Sequence, residues 1–139
     1  MNRSKFLLEL KEIMRSEEGC TTKTTVKKKE GFVPYNRHGI KWGQVDANNE
    51  KHVRVVFDLS PGFLDEKEFA HNTGLSVTPP RKITTGYRFT KKYKVDGHDQ
   101  LILFLEDSFL EGDGNVVQAV FDYAKEFTAT SGFKAHPSR

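Results

Sequence analysis

Apolar residues recur at helical spacing near both ends of the chain. Over residues 4–18 the apolar positions share one helical face, and they are Phe6, Leu7, Leu10, Ile13 and Met14. A broader apolar stripe begins near Asp113 or Asn115 and ends before Gly132, and it consists of Val116, Val117, Val120, Phe121, Ala124 and Phe127. Steps of three and four residues are typical of an amphipathic helix. The two patterns therefore predict one helix at each end of the chain.

Between these helices the pattern of polar and apolar residues is that of strands. The segments either alternate polar with apolar residues or are rich in β-branched and aromatic ones, and they span 21–29, 40–45, 52–59, 87–95 and 101–105. Gly31, Pro34, Asn36 and Gly39 predict a loop between the first two strands. Residues 60–80 predict an irregular insert with one or two helical turns over 65–70. The last strand is apolar on both faces, which favours a central position in the sheet.

The order of these elements predicts an α+β fold. We expect a five-stranded, mainly antiparallel sheet with the N- and C-terminal helices packed on one face. A chain of 139 residues is short for two domains, and no linker divides it. We therefore expect a single domain over residues 1–132 and a frayed C-terminal tail over residues 133–139.

Composition excludes several classes of protein. A single cysteine, Cys20, rules out an internal disulfide framework and a cysteine-based zinc cluster. The longest apolar run, residues 101–105, is far shorter than the roughly 18 residues that a membrane span needs. The first residues are charged throughout and lack the apolar region of a signal peptide. We therefore expect a soluble, cytoplasmic protein that does not contact a membrane.

The charges are strongly segregated along the chain. The net charge is only +3, but residues 20–45 hold six basic residues and one acidic residue, a net charge of +5. Residues 71–95 hold six basic residues and no acidic one, a net charge of +6. Residues 96–139 hold three basic and eight acidic residues, a net charge of −5. If helices cover one face of the sheet, the basic residues fall on the other face and its loops.

A basic, partly aromatic sheet face is a known way to bind nucleic-acid strands. We therefore predict a small non-enzymatic module that binds DNA or RNA mainly through phosphate contacts. Tyr35 and Trp42 are the candidates for stacking on bases. The full set of predicted nucleic-acid-binding residues is Lys27, Lys28, Lys29, Tyr35, Arg37, His38, Lys41, Trp42, Arg88, Lys92 and Lys94.

Two other interpretations account for the same charges. The basic face could dock on an acidic protein partner, as an inhibitor or interaction module does. Alternatively, it could be a solvated lysine-rich surface that keeps strand edges from aggregating. Head-to-tail self-association of a basic sheet with the acidic C-terminal helix is a further possibility, and the oligomeric state stays open.

Candidate catalytic groups are sparse. His98 lies in the polar turn Asp96-Gly97-His98-Asp99, and His38 lies in a glycine-bounded loop beside basic residues. Neither histidine has a second histidine at metal-binding spacing. The single Glu-x-Lys of the chain, at residues 9–11, falls on the first helix rather than on a strand where a metal-dependent nuclease needs it. A small nuclease or hydrolase is thus a third hypothesis, and we predict no catalytic residue, metal or cofactor.

Overall fold

The computed structural model describes residues 1–24, 30–91 and 97–131. The predicted site residues Lys27, Lys28, Lys29, Lys92 and Lys94 lie outside the described residues, as does the predicted tail. In chain order the elements are α1 (Arg3–Met14), β1 (Thr21–Thr24), β2 (Phe32–Tyr35), β3 (Gly43–Asp46), β4 (His52–Leu59), α2 (Glu66–Thr73), β5 (Gly86–Thr90), β6 (Asp99–Glu106), α3 (Asp107–Gly112) and α4 (Gly114–Thr130).

The strands form one antiparallel sheet in the order β1-β2-β3-β4-β6-β5. The predicted α+β class and the antiparallel sheet are confirmed. The predicted strand number is wrong, because the described residues form six strands rather than five. The additional strand is β2, whose four residues fall within the segment predicted as a loop. Gly31 and Pro34 indicate a turn at this position, but β2 forms because β1 pairs with one of its edges and β3 with the other.

Pro34 is tolerated in β2 because of an irregularity in the neighbouring strand. Its carbonyl accepts a hydrogen bond from the Trp42 backbone N–H at 3.2 Å. The N–H and C=O of a strand residue point to the same edge, so the N–H that proline lacks would also have faced β3. Phe32 pairs with Val45, whereas Tyr35 bridges to Lys41, so the β3 side holds one extra residue. Such a bulge breaks the hydrogen-bond ladder, and prolines within sheets are found at bulges.

Helix ends agree in part with the sequence pattern. Helix α4 begins after Asp113, as predicted, and the Asp113 side chain accepts a hydrogen bond from the Val116 N–H. Helix α1 is shorter than predicted, since it ends at Met14, and Asn2 rather than Ser4 caps it. Helix α2 falls within the insert and ends at Thr73, and it is followed by the C-cap residue Gly74, whose φ of 71° suits a glycine. The short helix α3 was not predicted.

The core is one cluster shared by strands and helices. Alternate residues of β4 and β6 are buried in it, and they are Val53, Val55, Phe57, Leu59, Leu101, Leu103 and Leu105. Helices α1 and α4 contribute apolar residues to the same cluster, and their Phe6 and Phe121 rings stack with centroids 5.2 Å apart. Burial of this kind stabilises a fold by about 25 cal/mol per Å² of apolar surface.

Arg3 ties the start of α1 to two other parts of the fold. Its Nε donates to Asp107 Oδ1 at 2.8 Å and a terminal nitrogen donates to Asp107 Oδ2 at 3.2 Å. The other terminal nitrogen donates to the backbone carbonyls of Ala47 and Asn49 at 3.0 and 2.7 Å. All three nitrogens of the planar guanidinium therefore donate hydrogen bonds, a geometry that a lysine cannot reproduce.

Among the described residues, no helix is both long enough and apolar enough to cross a membrane.

Candidate nucleic-acid interface

The turn between β2 and β3 is organised by one buried asparagine. Asn36 is only 1% exposed, and its Oδ1 accepts hydrogen bonds from the backbone N–H groups of His38 and Ile40 at 2.9 and 3.1 Å. Its Nδ2 donates to the Ser131 carbonyl at 2.9 Å. Asparagine favours such turns because its side chain reproduces backbone hydrogen bonds. The turn is thereby anchored to the C-terminal end of α4.

This anchored turn presents three of the predicted binding residues to solvent. Arg37, His38 and Lys41 are all exposed. Among the described residues, no carboxylate lies within ion-pair distance of the Arg37 or Lys41 side chain. Both cations therefore remain available to an anionic ligand, and binding one requires no internal ion pair to break.

Tyr35 lies at the start of the same turn. It ends β2, pairs with Thr21 of β1 and forms an isolated bridge to Lys41. Its side chain is half-buried. The structure thus brings Tyr35, Arg37, His38 and Lys41 together at one end of the β2–β3 hairpin, which we call the basic turn.

Trp42 does not belong to the surface of the basic turn. It is 0% exposed and stacks against Phe57 in the core, with ring centroids 6.1 Å apart. The extra residue opposite β2 interrupts the alternation of side chains that the sequence pattern assumes. Burial therefore removes the Trp42 ring from any surface on which a base could stack.

Arg88 lies far from the basic turn. It is on β5, and strands β3, β4 and β6 separate that strand from β2. At about 4.8 Å per strand spacing, the two strands are about 19 Å apart. The guanidinium of Arg88 covers the Phe104 ring at 5.0 Å from its centroid, and it donates to the Pro79 carbonyl at 3.1 Å. Arg88 is thus partly occupied by contacts within the protein.

The sheet face that carries Arg88 has balanced charges in its described part. The strand registers place three basic side chains on this face, namely Lys23, Arg54 and Arg88. They place three acidic ones there as well, namely Asp46, Asp58 and Glu106. The exposed positive charge of the described chain is therefore concentrated in the turns rather than on the strands.

Sequence reasoning missed two contributors to this region. The sequence pattern around Asn36 predicts only a loop, although asparagine side chains commonly order turns by accepting a hydrogen bond from the backbone two residues on. Arg54 lies on the polar side of β4 opposite Asp46. The alternation along 52–59 predicts that Arg54 lies on the polar side of the strand, but its acidic neighbour could be found only from the strand register.

The histidine of the predicted polar turn is buried beside a carboxylate. His98 is 5% exposed, and its Nε2 lies 3.2 Å from Asp58 Oδ1. The neighbouring Asp99 is also buried and accepts a hydrogen bond from the Gly62 N–H at 2.9 Å. Within the part of the chain that the structure describes, no group of three or more His, Cys, Asp or Glu residues could hold a metal ion.

Comparison of the chain with protein-family models, with curated proteins and with solved structures found no match in any of the three.

Proposed function

We propose that the chain is a nucleic-acid-binding module whose basic turn contacts the phosphates of DNA or RNA. The observation that carries this proposal is the anchoring of the turn by the hydrogen bonds of Asn36, with Arg37, His38 and Lys41 exposed on that turn. The proposal includes a finer arrangement, in which α1 and α4 cover one face of the sheet and leave the opposite side to the ligand.

Rigid presentation of positive charge supports binding to a phosphate backbone. An ordered turn loses little conformational entropy when it binds, so more of the electrostatic gain is retained. Each phosphate that a lysine or arginine neutralises releases condensed counterions, and the logarithm of the binding constant then falls by about 0.7–0.9 per contact for each unit of log salt. Tyr35 is the one predicted stacking residue that remains next to the turn.

The other predicted phosphate contacts extend this surface in the proposal. Lys27, Lys28 and Lys29 precede β2 in the same basic block of the sequence. Lys92 and Lys94 follow β5, which also carries Arg88. These five lysines are proposed as additional contacts on the strength of charge and sequence position alone.

The test is a fluorescence-anisotropy titration of the full chain with labelled single-stranded DNA, duplex DNA and RNA between 50 and 300 mM salt. The critical variant is Arg37→Glu with Lys41→Glu, since both side chains are exposed and unpaired among the described residues. We expect at least tenfold weaker binding at about 0.1 M salt, and a salt slope smaller by about 1.5 because two phosphate contacts are lost.

A control variant separates local contact from overall charge. Lys5→Glu with Lys67→Glu changes the net charge by the same amount on α1 and α2, and both lysines are exposed. We expect this control to weaken binding less than threefold. Equal losses in both variants, or no binding at 50 mM salt, would refute the proposal. Preference for one acidic protein over bulk nucleic acid at 0.15 M salt would instead identify a protein-docking surface.

A further inference from the structure

A cleft lies between α4 and the segment that contains α2. Its volume is about 550 Å³, which is within the range of roughly 300–1,000 Å³ typical of small-ligand sites. It is formed by elements remote in sequence from the basic turn. The nucleic-acid proposal does not use this cleft, so the two can be tested separately.

Aromatic rings form the apolar part of the cleft. Phe127 is 1% exposed, and Phe63 and Tyr123 line the cleft beside it as half-buried residues. The Phe63 and Phe127 centroids are 6.1 Å apart with planes at 70°, and the Tyr123 and Phe127 centroids are 5.8 Å apart. These contacts hold the rings in place. Aromatic faces carry negative potential and attract organic cations.

Carboxylates line the same cleft from both sides. Asp65 and Glu68 come from the start of α2, and Asp122 and Glu126 come from one face of α4. Residues four apart on a helix lie above one another on the same face, which explains why Asp122 and Glu126 lie together. No lysine, arginine or histidine lines the cleft among the described residues. The cleft therefore combines aromatic walls with a negative potential.

Helix capping and hydrogen bonds within the helices account for only two of the four carboxylates in the cleft. Asp65 caps α2 by accepting a hydrogen bond from the Glu68 N–H at 3.1 Å, and Asp122 accepts one from Gln118 Nε2 at 3.0 Å. Glu126 lies near the C-terminal end of α4, where the helix dipole disfavours negative charge, and no basic residue lies in the last turn. The Glu68 and Glu126 carboxylates accept no hydrogen bond from another described residue.

We propose that this cleft binds an organic cation, an ammonium or guanidinium group on an apolar stem. The carboxylates would neutralise the charged head, and the aromatic rings would contact the stem and the face of the cation. A cation would also reduce the mutual repulsion of the four carboxylates that line the cleft. The same chemistry is present in a free diamine and in a lysine or arginine side chain of a peptide.

The experiment uses the ¹⁵N-labelled full chain and NMR titration with two probes. One probe is 1,5-diaminopentane, and the other is a short acetylated and amidated peptide with a single lysine. Their neutral counterparts, 1,5-pentanediol and the peptide with an acetylated lysine, serve as ligand controls. We expect saturable shifts at residues 63–72 and 119–127 with the cationic probes, and at least tenfold weaker binding of the neutral ones. Tighter binding of the diamine or of the peptide identifies which source the cleft prefers.

Two variants test the separate parts of the cleft. Glu68→Gln with Glu126→Gln should weaken binding of the cations about tenfold, because two nearby charges are removed from a solvent-exposed site. Phe63→Leu keeps the apolar volume but removes an aromatic face, and it should weaken binding about threefold. The matched control is Glu9→Gln with Glu12→Gln, which alters two exposed carboxylates on α1 and should leave the affinity unchanged.

The proposal is overturned by any of three results. One is the absence of saturable shifts in the cleft at 10 mM of either cationic probe. Another is equal affinity for the diamine and the neutral diol, which would show that charge plays no part. The last is an equal loss of affinity in the α1 control and in the cleft variant, which would show that only the net charge matters.

Discussion

Replacing Asn36 by alanine tests whether one buried side chain holds the basic turn. The substitution removes the hydrogen bonds to His38 N, Ile40 N and the Ser131 carbonyl. A hydrogen bond in a protein contributes about 1 kcal/mol net, and buried groups left without a partner cost more. Three bonds at a residue that is 1% exposed therefore predict a loss of about 3 kcal/mol in the free energy of unfolding.

The measurement is urea denaturation of the wild type and the variant, with unchanged m-values as the sign that both unfold from comparable states. Trypsin cleavage after Arg37 gives a second, local measure, since a loosened turn exposes that bond. We expect faster cleavage at this site in Asn36→Ala than in the wild type under native conditions.

Asn49→Ala is the matched control. Asn49 Oδ1 also accepts two backbone hydrogen bonds, from Lys51 N and His52 N at 2.8 and 3.2 Å, but it lies in an exposed turn. Water can replace those bonds, so we expect a loss below about 1 kcal/mol. If Asn36→Ala costs no more than Asn49→Ala, burial does not strengthen the anchor, and Asn36 does not hold the basic turn rigid.

Three further predictions concern the frame around the site. Arg3→Lys should cost about 1–2 kcal/mol of unfolding free energy in urea titrations, because a lysine cannot make the forked contacts; an unchanged midpoint would contradict this. Gly86→Ala should lower the free energy of unfolding by about 3 kcal/mol, because the added Cβ would collide with the Ser76 carbonyl oxygen. The control Gly112→Ala adds a Cβ in open space and should change the free energy of unfolding by less than about 0.5 kcal/mol. The pKa of His52 is lowered by burial and, to a smaller extent, by the charge of Arg3. As pH falls, His52 therefore becomes protonated in the unfolded chain at a higher pH than in the folded protein. Stability should therefore decrease below pH about 6.5, and His52→Gln should flatten that decrease between pH 7.5 and 5.5.

The elements that could be predicted are those whose signals are local. Helix α4 combines a capping aspartate with a long apolar stripe, and β4 alternates polar and apolar residues except at Val56. Each signal lies within the element itself, so the prediction needed no knowledge of its neighbours. Helix α3 is only six residues long, and its sequence contains too little periodicity to be detected.

Strand β2 and Trp42 could not be predicted, because their environment is set by non-local pairing. The turn-forming residues of 31–39 favour a loop until β1 and β3 pair along both edges of the segment. One extra residue in the neighbouring strand is enough to change which face a side chain occupies. Similarly, the acidic character of α4 is visible in the sequence, but the aromatic walls of the cleft require Phe63, which only the tertiary fold brings to Phe127.

The arrangement of charge favours a polymeric ligand over a small anion in the proposed function. The basic block of residues 20–45 supplies the edge formed by β1 and β2, and the block of residues 71–95 supplies β5 at the opposite edge. Strands β2 and β5 are about 19 Å apart, and the described sheet face between them has balanced charges. A single phosphate can contact only one edge, whereas about 19 Å of duplex DNA carries about eleven phosphates and can reach both. Charge removal at the basic turn and at Arg88 should then weaken polymer binding independently, while the binding of inorganic phosphate would respond to one edge alone.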